Sequence, residues 1–190
     1  MKARNITWTG AILAAGLLLP SSRAAADEYA VQVVIQGVSA LAPFDRDSQA
    51  DFFAEMNIGG VPYRSDAVFD RDRVAPGWQH FATFSYEQLL LAETVDIDIG
   101  LRETNDRFGE TGRLVDIAGR RGVFDLSYEL QFDPRGGAVI LLDAHTGRAV
   151  RQLVPVPGGA SWTTGRMISS GPHARIAFEV NVVRLPRYRF

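Results

Sequence analysis

The stretch Tyr29-Ala-Val31-Gln-Val33-Val-Ile35, matched later by Val95-Asp-Ile97-Asp-Ile99-Gly-Leu101, decides the fold. Apolar side chains recur at every second position, the period of a strand with one face buried. The same reading predicts strands over Phe53–Ile58, Tyr63–Phe69, His80–Phe84, Val123–Phe132, Ala138–Leu142, Arg148–Val154 and Arg175–Leu185. Turn formers separate them, among them Gly59-Gly60, Arg135-Gly136-Gly137 and Val156-Pro-Gly-Gly159. One segment, Tyr86–Glu93, has the Leu, Glu and Gln spacing of a short helix. Eight to ten short strands divided by turn signals describe an all-β sandwich or barrel. Ala160–Pro172, rich in Gly and Ser, is expected to be a mobile loop.

N-terminal to this pattern, Lys2 and Arg4 precede the apolar run Ala11–Leu19 and Pro20, and Ala24-Ala25-Ala26 supplies small residues for cleavage. Residues 1–26 therefore read as a signal peptide, leaving 27–190 as a single exported domain, secreted or periplasmic. The apolar run is far shorter than the roughly 20 residues that span a bilayer. Of the 20 Lys and Arg, three lie in 1–26, so the remainder carries 17 basic against 22 acidic side chains, and every one of those 17 is Arg. That balance gives no reason to expect a nucleic-acid partner. The absence of Cys removes disulfides, thiol nucleophiles and thiolate metal sites.

The acids gather in two places. Asp45, Asp47 and Asp51 follow the first strand, and Glu103 and Asp106 follow the Val95–Leu101 strand. Carboxylates brought to about 4 Å repel by roughly 4 kcal/mol at an effective dielectric of 20, so a converged set is held apart in water or neutralised by a cation. Oxygen-only donors favour calcium over zinc or copper. The alternative is that these Asp residues serve turns, where their side chains bond their own backbone.

The stretch ALAPFDRDSQADFFAEMNIGG, Ala40–Gly60, resembles the opening of a C2 domain, a β-sandwich known for calcium-dependent lipid binding. Asp45 and Asp51 have the family's six-residue spacing, with Phe53 in place of its usual Tyr. Pro76-Gly77-Trp78 followed by Phe84 is similar to the family's Pro-x-Trp signature, Tyr86–Glu93 to its short helix, and Asn105-Asp106-Arg107-Phe108-Gly109 to the end of its third loop. The match runs in order from Val31 to Gly109. It implies an antiparallel C2-like β-sandwich, with Asp45, Asp51, Glu103 and Asp106 as calcium ligands and Asp47 as an outer contributor. The family's third loop opens with two Asp, whereas the inward alternation here places Leu101 and Glu103 at those positions and leaves Asp96 and Asp98 outward. Val123–Val154 is longer than the family needs and is expected to add a hairpin.

The implied function is a non-catalytic binding module. Its loop tips would recognise an anionic lipid headgroup, a glycan or an envelope protein, with peripheral membrane contact in the first case. The competing reading is a metal-free structural or protein-interaction sandwich. A small outer-membrane barrel ending in Tyr188-Arg189-Phe190 is disfavoured by Pro186 and Arg184 at positions that would face lipid. There is no Gly-x-Ser-x-Gly elbow, and His80, His145 and His173 show no zinc spacing. Trp78, Phe81, Phe84 and Phe69 are expected to be core.

Overall fold

The computed structural model describes residues 27–43, 49–92, 94–104, 112–133, 137–157 and 161–186. In chain order the elements are β1 (Glu28–Ala40), β2 (Phe52–Ile58), β3 (Val61–Arg64), β4 (Arg73–Val74), β5 (Trp78–Ser85), α1 (Tyr86–Ala92), β6 (Thr94–Glu103) and β7 (Arg113–Leu114). They continue with β8 (Leu126–Asp133), β9 (Ala138–Asp143), β10 (Ala149–Gln152), β11 (Val154–Pro155), β12 (Ser161–Thr163), β13 (Met167–Ser170) and β14 (Ala174–Arg184).

Two antiparallel sheets face one another. The first runs β11-β12-β14-β1-β4, with β5 also on β1 and β13 also on β14; the second runs β10-β9-β8-β6-β2-β3, with β7 on β6. Both are open, which sets aside the barrel. There are more strand segments than the eight to ten expected because several short pieces share one place. Both β4 and β5 flank β1, and β12 and β13 flank β14.

The period-two reading explains the core. Tyr29, Val31, Val33 and Ile35 of β1, with Ile176, Phe178, Val180 and Val182 of β14, meet Ile97, Ile99 and Leu101 of β6 and Leu130 of β8 in one buried cluster. Each such side chain contributes roughly 1.5–3 kcal/mol on leaving water. At the hairpin of β2 and β3, Gly59 and Gly60 take φ of +56° and +86°. A Cβ on Gly59 would also stand 2.6 Å from Phe84 Cζ. The helix α1 opens with a reciprocal cap: Gln88 N–H donates to Ser85 Oγ (3.1 Å) and Ser85 N–H to Gln88 Oε1 (2.7 Å).

Several expectations need correction. The Ala160–Pro172 segment contains β12 and β13, because Trp162 and Met167 are apolar enough to cover the edge of the core that β14 leaves open. The Tyr63–Phe69 strand ends at Arg64, and Phe69 stands 40% exposed. Phe81 is 61% exposed, since Trp78, His80 and Ala82 take the inward parity of β5. Val123–Val154 supplies β8, β9 and β10, a meander that extends the second sheet rather than a hairpin laid upon it.

Candidate functional site

The register of β2 on β6 settles where the acidic stretches lie. Phe52 pairs with Glu103, and Thr104 N–H donates to the Asp51 carbonyl at 3.0 Å. The chain leading into β2 and the chain leaving β6 therefore share one end of the sandwich. A third segment joins them, held by reciprocal Phe52–Val68 backbone bonds, by Arg71 N–H to the Ala50 carbonyl (2.9 Å), and by Ala40 N–H to the Asp72 carbonyl (2.7 Å). From the facing sheet the His173 carbonyl accepts from Leu41 N–H (2.8 Å), while its Nδ1 accepts from Asp116 N–H (3.3 Å).

The side chains divide in role. Asp51 is half-buried, and its Oδ1 accepts from Asp70 N–H at 2.6 Å. Asp70 is the non-glycine residue found in the left-handed region among the described residues, at φ 52°. Glu103 is 1% exposed and points inward as the strand alternation required, with Oε2 2.7 Å from Arg113 Nε. It sits buried in an ion pair with Arg113. Asp45, Asp47 and Asp106 lie outside the described residues. Among the described residues no group of three or more His, Cys, Asp or Glu is placed to hold a metal.

Two acids at this end escaped the sequence reading: Asp70, and Asp72, whose Oδ1 accepts from Ala50 N–H at 3.2 Å. A signal was present. The tetrapeptide Phe-Asp-Arg-Asp occurs at 44–47 and again at 69–72. The same end exposes Leu41 (48%), Phe69 (40%) and Leu114 (40%).

Elsewhere, one charged cluster holds a turn. The Asp143 carboxylate closes its own turn by accepting from His145 N–H, Thr146 N–H and the Thr146 hydroxyl, and it pairs with both terminal nitrogens of Arg120. The bonds from Arg120 hold the Asp143 pKa down to about 2. Tyr128 beside them is pushed up to about 12, mainly by burial. On the outer face of the second sheet Gly100 floors a depression of about 540 Å³ bordered by Glu55, Asn57, Asp98, Arg102 and Asp125. Burial raises the Asp125 pKa, while Glu55 pairs with Arg102 and Asp98 accepts from Ser127. His80 is packed, with Nε2 2.8 Å from the Val61 carbonyl and its ring stacked on Tyr63.

No family model and no curated protein matches the chain. Among solved structures it is similar to human GIVD cytosolic phospholipase A2, at TM-score 0.49 and 11% identity over 85% of this chain and 17% of that one. It is also similar to a structure of a C2 domain (TM-score 0.43, 10% identity, 82% and 98% covered). A third is a C2 domain of plant extended synaptotagmin 1 (TM-score 0.43, 13% identity, 84% and 96% covered). The chain thus spans about a sixth of the phospholipase and nearly all of the two C2-domain chains.

Proposed function

We propose that the chain is an exported, non-catalytic C2-like binding module that meets an anionic membrane surface through the loop end, with calcium as the bridge. The observation that carries this reading is the bond from Thr104 N–H to the Asp51 carbonyl, which ties the residue before β2 to the residue after β6. Asp51 keeps Oδ2 for a cation, and Asp45, Asp47 and Asp106 belong to the segments that start there. Glu103, committed to Arg113, serves as an anchor of the loop rather than as a ligand. Leu41, Phe69 and Leu114 would enter the headgroup layer. A surface with this excess of carboxylates repels an anionic bilayer until a divalent ion reverses the local charge.

The test is a thermal melt of the protein with calcium and with chelator, joined to sedimentation with phosphatidylserine vesicles. Calcium at 100 times its Kd adds about 2.7 kcal/mol of stability. Asp51→Asn should remove that increment, and Leu41→Asp with Phe69→Asp should cut vesicle binding while the calcium shift persists. A midpoint that does not move at millimolar calcium removes the ion. The metal-free interaction domain is the second reading, favoured by the Glu103–Arg113 pair, and it expects Asp51→Asn to leave melts and binding unchanged.

A further inference from the structure

Beside the loop end, the outer face of the first sheet holds a different kind of site. Strand β1 carries a bulge between Ile35 and Gly37, which turns Gly37 outward opposite Ala177 and keeps Val38 in the core. Gly37 and Ala177 leave the sheet surface nearly bare. A Cβ built on Gly37 would still be 3.7 Å from its nearest neighbour. One step along, Ser39 pairs with Arg73 of β4 on one side and with Arg175 of β14 on the other. Adjacent strands lie about 4.8 Å apart, so two guanidinium stems stand on either side of a serine with roughly 10 Å between their backbones. Arg166, just before β13, closes a third side of a cavity of about 460 Å³.

These arginines differ from the others near carboxylates. Arg102, Arg113, Arg120 and Arg184 each hold an acid. Among the described residues, Arg73, Arg166 and Arg175 make neither an ion pair nor a side-chain hydrogen bond. The neighbouring acid on this face, Glu179, is occupied by Gln36 Nε2 (2.8 Å) and Asn181 Nδ2 (3.1 Å). Three guanidiniums without an ion-pair partner, with the Glu179 carboxylate to one side, thus ring a floor of small residues on a chain whose formal net charge is −2. Like charges gathered this way oppose one another, and an anion between them relieves the repulsion. Guanidinium forks match the paired oxygens of an oxyanion better than an ammonium does.

We propose that this groove binds a phosphate-class oxyanion between Arg73, Arg166 and Arg175, with the Ser39 hydroxyl at its centre. The site needs no calcium. Exposed Ile168 on one wall gives the bound group an apolar flank.

The experiment titrates the full-length protein in chelator with inorganic pyrophosphate by calorimetry, and sediments it with phosphatidylglycerol or phosphatidylcholine vesicles. Saturable binding that weakens with salt is expected in at least one arm. Binding of pyrophosphate identifies a soluble phosphate ligand; binding only to phosphatidylglycerol identifies a headgroup. Arg73→Gln and Arg175→Gln should each weaken binding at least tenfold. Ser39→Asp, which sets a carboxylate between the two guanidiniums, should abolish it without lowering the melting midpoint. Arg151→Gln, on β10 of the other sheet, should leave it unchanged. Absence of saturable binding in both arms, or wild-type binding by the Arg73→Gln/Arg175→Gln double variant, overturns the proposal.

Discussion

Replacing Arg113 by Leu isolates the one acid of the loop end that the core has claimed. Glu103 has a side chain 1% exposed and lies 2.7 Å from Arg113 Nε, so removal of the guanidinium leaves a carboxylate with little access to water. Stripping one partner from a fully buried ion pair costs 3–5 kcal/mol. Arg113 itself is 55% exposed, and water can enter part of the space it vacates. The expected loss is therefore about 2–3 kcal/mol, or roughly 5–10 °C in Tm for a domain of this size. Urea denaturation and calorimetry in chelator measure it. In a double-mutant cycle, Glu103→Gln should recover much of the loss on the Arg113→Leu background, because a neutral amide tolerates burial better than a carboxylate that has lost its guanidinium. A change within about 0.5 kcal/mol of the parent would refute the reasoning, since that is the scale of an ordinary surface substitution. Calcium that restores Arg113→Leu to parental stability would show Glu103 turning outward to serve as a ligand.

Three other outcomes follow from local geometry. Asp143 has its folded pKa lowered to about 2, first by the Arg120 hydrogen bond, so its contribution is complete above the ordinary carboxylate range and is lost as pH falls from about 4 toward 2. Asp143→Asn should lower stability by roughly 1–2 kcal/mol at pH 7 and by much less at pH 2, read from melts across that window. Tyr128, raised to about 12 chiefly by burial, should hold its proton after exposed tyrosines have ionised, so absorbance at 295 nm should lag and stability should decline above about pH 10. Gly171→Ala should cost roughly 1–3 kcal/mol in urea melts, because its methyl would collide with the Asp116 carbonyl in the connection after β7; a neutral result would show that the two loops part easily.

Much of the architecture could be read from apolar parity. The inward sets of β1, β6, β8 and β14 were legible because each buries a run of aliphatic side chains on one face. The same parity turned Glu103 inward before its partner was known. Arg113 could not be found this way, since a two-residue strand carries no period. The strands within Ala160–Pro172 were hidden for the same reason: Gly165 and the serines outweigh the few apolar residues that dock on β14. Phe81 misled because parity assigns a strand residue to a face, and aromatic character does not override it.

At the candidate sites the division is sharper. Composition and order supplied the acids of the first and third loop segments, and with them the expectation of an oxygen-ligand cation. That Asp51 and Glu103 share an end with Asp70 and Asp72 depended on the pairing of Phe52 with both Val68 and Glu103. The arginine groove has no counterpart in linear order at all. Arg73, Arg166 and Arg175 are spread over about a hundred residues and meet only because β4 and β14 both pair with β1 beside Ser39 while β13 pairs with β14. Alternation along one strand is a local property that every residue carries in its own side chain. The neighbours of that strand, and hence which charges face one another across it, are chosen by long-range pairing that only the folded sheets specify.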